Sequence, residues 1–257
     1  MKVRILLSCC LLALATVTTV VQANAESSPV DPLNSPQWSV MHQRFLGNGP
    51  VVFDERVEIM APASAEDSLN VPVSFRAVQL GEVEEIVVFA DLNPLPLVLK
   101  FHPGRIEPNL SFRMKLQQGS PLRVAARTPD GVWHVGAVYI DAAGGGCTLP
   151  SVGVASGDWM STLGHVSARL WEREQGNRLR VKVMHPMDTG LADGVPKFHI
   201  KQLQLKDTDS DAVMGGLELF EPVSENPMLS LDVGTYRRFL LDGRDNNGNR
   251  IEAKITQ

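Results

Sequence analysis

Ala142-Ala143-Gly144-Gly145-Gly146-Cys147-Thr148-Leu149-Pro150 divides the chain into two halves. Glycine has no Cβ and loses the most entropy on ordering, so three in a row make a poor strand or helix. The stretch therefore reads as a slack arm. Gly144, Gly145 and Gly146 supply mobility, and Cys147 is carried at the end as an accessible chemical handle. Strand-like patterning lies on either side, so the arm predicts two scaffolds joined by a cysteine-bearing linker.

Before the arm, apolar residues alternate with polar ones at a period of two, the spacing of a half-buried strand. Val71, Val73 and Phe75 do so, as do Leu110, Phe112, Met114 and Leu116 against Ser111, Arg113 and Lys115. Leu122, Val124 and Ala126 alternate with Arg123 and Arg127, while Ile86-Val87-Val88-Phe89 is a more deeply buried run. Thr128-Pro129-Asp130-Gly131 has turn composition, and the strand pattern resumes over 132–140. One helix is predicted, with Ser35 as cap, Pro36 in the first turn, Trp38, Met41 and Phe45 on one face, and an end near Gly47.

After the arm, strands are predicted over 166–171, 179–183, 197–206, 213–220, 229–233, 239–241 and 251–255, with a hairpin turn at Asp245-Asn246-Asn247-Gly248-Asn249. Short strands punctuated by turns at these intervals indicate β-sandwiches. The fold class is all-β: two Ig-like β-sandwich domains joined by a Gly-rich, cysteine-bearing linker, with one short N-terminal helix. The divisions are 1–25, 26–143, 144–159 for the linker, and 160–257.

Residues 1–25 read as a secretory signal. Lys2 and Arg4 start it, 5–21 is apolar, and Ala23-Asn24-Ala25 suits a signal peptidase cutting after Ala25. Export to the periplasm by the general route follows, with no membrane association after cleavage. Cys9 and Cys10 leave with the signal, so Cys147 remains alone and has no partner for an internal disulfide. The net charge of −5 argues against a nucleic-acid partner.

For chemistry the chain offers no nucleophile elbow, phosphate loop or paired cysteines, so it is not expected to be an enzyme or to hold a cofactor. A thiol works as thiolate and must be reachable, which the glycine arm would provide. Met184, His185 and Met187 form a cluster of soft ligands that could bind copper, or else a strand end where they pack and hydrogen-bond. His102-Pro103 is a similar strand-end histidine.

Four blocks carry a resemblance in the second half: the run 180–190 containing Met184-His185-Pro186-Met187-Asp188-Thr189-Gly190, then Val195-Pro196-Lys197-Phe198-His199-Ile200, then Ser224-Glu225-Asn226-Pro227-Met228-Leu229-Ser230, then Asp245-Asn246-Asn247-Gly248. Their order and spacing resemble SoxZ, the Ig-like subunit of the thiosulfate-oxidising carrier. Asn93-Pro94-Leu95-Pro96, Phe101, the strand 110–116 and the final strand running into Cys147 resemble SoxY. Together the chain resembles the fused SoxYZ-like carriers associated with quinoprotein dehydrogenases. In SoxY the cysteine sits in a Gly-Gly-Cys-Gly-Gly end, free at the C-terminus, whereas here Thr148-Leu149-Pro150 follow it and the chain continues, so the arm is tied at both ends and its reach is shorter.

The resemblance implies a periplasmic carrier that holds a sulfur-linked intermediate on Cys147 for periplasmic redox enzymes of the sulfur-oxidising or quinoprotein dehydrogenase type. A non-catalytic Ig-like adaptor or assembly factor, and a copper-binding protein, are the alternatives.

Overall fold

The structure is a computed structural model that describes residues 30–151 and 159–256. The expected signal segment 1–25 and residues 152–158 of the expected linker lie outside the described residues. The first half contains α1 (Trp38–Leu46), β1 (Val51–Phe53), β2 (Glu58–Met60), β3 (Ser64–Ala65), β4 (Val71–Arg76), β5 (Glu85–Ala90), β6 (Leu97–His102), β7 (Asn109–Met114), β8 (Ser120–Arg127) and β9 (Trp133–Ala142). The second contains a one-turn helix α2 (Trp159–Thr162), β10 (Val166–Trp171), β11 (Arg178–Val183), β12 (Ile200–Asp207), β13 (Val213–Leu219), β14 (Met228–Asp232), β15 (Arg238–Asp245) and β16 (Arg250–Thr256).

Among the described residues these strands form two sheets. The larger runs β1-β9-β8-β5-β6-β13-β12-β15-β16, with β3 also pairing β9, and the smaller runs β10-β11-β14-β7-β4-β2. Both sheets cross the boundary between the halves. In the larger, β6 pairs antiparallel with β13, placing Phe101 opposite Leu217 and Leu99 opposite Leu219. In the smaller, β7 meets β14 at Ser111 and Ser230. One apolar core between the sheets takes Phe75, Phe101 and Phe112 from the first half with Val181, Leu217 and Leu229 from the second. The halves thus meet edge to edge, which also covers four strand edges, those of β6, β13, β7 and β14, that would otherwise stay open.

A second apolar cluster lies on the outer face of the larger sheet, where Trp38, Met41 and Leu46 of α1 cover Val87, Phe89, Ala125 and Val135. This explains why Ile86 to Phe89 is apolar throughout: Ile86 and Val88 face the inner core, Val87 and Phe89 the helix. The helix starts at Trp38 with no side-chain cap at Gln37, and its end coincides with Gly47 at φ 68°. The turn before it is held by Asp31, whose carboxylate accepts the backbone N–H groups of Leu33 at 3.1 Å and Ser35 at 2.7 Å.

Arg123 departs from the alternation read in the sequence, which placed it on the solvent face. It is 0% exposed. Its guanidinium pairs with Asp31 at 2.6 Å and Asp91 at 2.9 Å and lies 5.0 Å from the Trp38 ring. The outward face of β8 is roofed by α1 and the segment before it, so the arginine is enclosed and brings two carboxylates with it.

Candidate functional site

The last residues of β9 pair with β3, Asp141 beside Ser64 and Ala142 beside Ala65, and the chain then leaves the sheet. Gly144 and Gly145 take φ values of 110° and 88°, left-handed backbone that a side chain would strain. Gly146 lies against the backbone of a neighbouring loop, and its N–H donates to Leu116 O at 3.2 Å. A Cβ on it would meet Ser68 O at 2.2 Å and Leu116 O at 2.4 Å. The glycine run is thus no slack arm over 144–147. Its lack of side chains serves a tight bend and a close approach.

Cys147 follows from this docking, and it is 0% exposed. The expectation of an accessible thiol is corrected: the close approach of Gly146 carries the next residue inward. The thiol points at Asn93 Oδ1, 3.7 Å away, and at Lys115 O, 3.8 Å away. The Cys147 N–H donates to Gln117 Oε1 at 3.0 Å. Asn93 organises this wall, since its Nδ2 donates to Lys115 O at 3.1 Å and its Oδ1 accepts the Gln117 N–H at 2.8 Å. Burial pushes the thiol up to about 11, against the nearby Lys115 charge, which favours the thiolate. At neutral pH the seated sulfur is protonated and a poor nucleophile.

Lys115 also departs from the sequence reading. The alternation puts it on the polar face of the strand, but β7 ends at Met114, and Lys115 is buried with its Nζ donating to Met187 O across the seam. Burial pulls the lysine down, and the charge of Asp188 is the foremost influence opposing it.

The second half closes the site with the segment His185-Pro186-Met187-Asp188-Thr189. The Thr189 hydroxyl donates to Cys147 O at 2.6 Å and accepts the Leu191 N–H at 3.2 Å. Asp188 Oδ1 accepts the Ser151 N–H at 2.9 Å, and its Oδ2 accepts the Ser151 hydroxyl at 3.2 Å. Met187, at φ 54°, turns the segment, and its N–H donates to His185 Nδ1 at 3.0 Å.

The blocks that carried the SoxZ resemblance converge on this segment. Phe198 N–H donates to Asp188 O at 3.0 Å, and Asn226 N–H donates to His185 O at 2.8 Å. Asp245, from the fourth block, lies 3.5 Å from His185 Nε2, too wide for a good hydrogen bond. Sequence reading did not find these neighbours of the sulfur: Asn93, Lys115 and Gln117 meet it through the docking of the glycine bend on their own half, whereas Asp188 and Thr189 reach the arm through the edge-to-edge pairing of the halves.

The soft-ligand cluster is engaged internally. Met187 Sδ accepts the Ile200 N–H at 3.3 Å, and His185 Nδ1 is taken by Met187. Burial pushes His185 down to about 4, with Asp245 opposing. Among the described residues no three His, Cys, Asp or Glu side chains are grouped to hold a metal. His102 is the last residue of β6. No helix among the described residues is long and apolar enough to cross a membrane.

Comparison with known proteins adds to this geometry. Residues 42–147 match the family described as sulfur oxidation protein SoxY, and the match ends on Cys147. Among solved structures, the sulfur carrier protein SoxY from Chlorobium limicola f thiosulfatophilum is 22% identical, with a TM-score of 0.38, covering 42% of this chain and 96% of that one. A glycosyl hydrolase family 2 member from Bacteroides cellulosilyticus DSM 14838 is 11% identical, with a TM-score of 0.19, covering 75% of this chain and 25% of that one. No curated protein matches the chain.

Proposed function

We propose that this chain, whose residues 42–147 are SoxY-like, is a sulfur carrier that holds a sulfur-linked intermediate covalently on Cys147. The observation that carries the reading is the coincidence of two ends: the SoxY match stops at the one free cysteine among the described residues. The protein supplies no catalytic group of its own. Partner enzymes of the periplasm, of the sulfur-oxidising or quinoprotein dehydrogenase type, load and unload the sulfur. The seated thiol is the resting form, protonated and shielded, and loading requires the arm to leave its seat.

The test is intact-mass analysis of protein isolated from its native cells without reductant. The expected result is a set of sulfur-containing adducts confined to Cys147 and missing from Cys147→Ser. Unmodified protein throughout, during active sulfur oxidation, would refute the carrier. The burial of Cys147 favours a second reading, a non-catalytic adaptor for a quinoprotein dehydrogenase system. The Cys147→Ser strain decides between them, because an adaptor keeps its activity and a carrier loses it.

A further inference from the structure

We propose that Thr189 and Asp188 are positioning residues for Cys147: they form a clasp, supplied by the second half of the chain, that sets how often the thiol leaves its seat. The inference rests on the carrier reading for its purpose, but its geometry stands on its own. Before the sulfur, the arm is fixed by the first half, through Gly146 on Leu116 and the Cys147 N–H on Gln117. Beyond the sulfur, the first half offers one long bond among the described residues, from the Thr148 hydroxyl to Gln117 Oε1 at 3.4 Å. Among the described residues the remaining anchors belong to the clasp: Thr189 on Cys147 O at 2.6 Å, and Asp188 on both the N–H and the hydroxyl of Ser151 at 2.9 and 3.2 Å. Thr148, Leu149 and Pro150 lie exposed between these points.

The clasp is built independently of what it holds. Lys115 grips Met187 O, Phe198 N–H is bonded to Asp188 O at 3.0 Å, and Met187 N–H is bonded to His185 Nδ1 at 3.0 Å. Its backbone is thus already in place when the arm is out, so the arm returns to preformed acceptors and a preformed donor. Asp188 is buried, and both its oxygens are used on the arm, so departure of Ser151 leaves a desolvated carboxylate that favours return. The Thr189 hydroxyl keeps its bond from Leu191 and loses only the one to Cys147. Departure of the arm therefore disturbs these two side chains and, on the first half, Gln117, Asn93 and Leu116 O, while leaving the sheet ladders intact, as a local opening requires.

The test is the rate of Cys147 alkylation by iodoacetamide, read by intact mass on the full chain as a function of pH and of low urea. Thr189→Val removes the donor to Cys147 O with little change of shape. It is expected to raise the rate about tenfold at fixed pH, the equivalent of one hydrogen bond of ordinary strength. The midpoint of its pH profile should move toward that of an unburied thiol. Thr189→Ser keeps the hydroxyl and should stay within about twofold of the parent. In each case the rate should be independent of low urea, the mark of local opening as opposed to global unfolding.

Asp188→Asn and Ser151→Ala put the same question to the other anchor, and both should raise the rate if Thr189→Val does not fold. The proposal is overturned if Thr189→Val, or the Asp188 and Ser151 variants in its place, react at the parental rate, if Thr189→Ser reacts as fast as Thr189→Val, or if the acceleration scales with urea. Alkylation does not depend on cargo. A failed clasp with native adducts still on Cys147 leaves the carrier reading intact, and a working clasp on a cysteine never loaded removes the carrier reading alone.

Discussion

Gly146 stands where no side chain fits. A methyl group there would lie 2.2 Å from Ser68 O and 2.4 Å from Leu116 O, both backbone atoms that cannot swing aside. Gly146→Ala should therefore expel the arm or strain its seat by about 1–3 kcal/mol, visible as fast alkylation of Cys147 together with a lowered Tm. Parental alkylation would show that the loop accommodates the methyl. At Cys147, burial holds the thiol proton to about 11, against an ordinary 9.0. The folded chain binds this proton more tightly than the unfolded one, so its contribution to stability is intact below pH 9 and is lost as pH climbs from about 9 to about 11. That span is worth on the order of 2–3 kcal/mol. Urea midpoints across this window should fall more steeply for the parent than for Cys147→Ala, and equal slopes would contradict a sealed sulfur.

At the scale of the element, α1 makes β8 a strand buried on both faces. The Asp31–Arg123–Asp91 group fastens the segment before the helix to that strand. Asp31→Ala leaves Arg123 one partner short in a dry site and should cost about 3–5 kcal/mol, measured as a shift in the urea midpoint, and Arg123→Met, which strands both carboxylates, should cost at least as much. The same strand shows why part of the fold was legible in the sequence and part was not. β4 alternates because only Val71, Val73 and Phe75 face the core, and that pattern is local. The burial of Arg123 depends on a roof from elsewhere in the chain, which periodicity within β8 cannot report. At the site, Cys147 was legible as the singular residue, and the His185–Thr189 block as a feature. Their meeting was not, since it rests on β6 joining β13. The glycine run misled for a definite reason: absence of a side chain permits both freedom and close fit, and only the neighbours decide which.

At the scale of the molecule, both sheets continue from one half to the other, through a ladder at β6–β13 and a single residue pair at β7–β14, and a single core lies between them. The chain should therefore melt in one transition, with near-UV and far-UV signals coincident and calorimetric and van't Hoff enthalpies equal. Two resolved transitions would mean that the junctions at β6–β13 and β7–β14 are weak. One wall of the sulfur's seat comes from each half, and the two are parts of one covalent chain. Shelter for the thiol is consequently a first-order property, with an effective concentration fixed by the chain and not by the cell. Diluting the protein a thousandfold should leave its alkylation rate constant unchanged, as no bimolecular assembly with separate walls would allow.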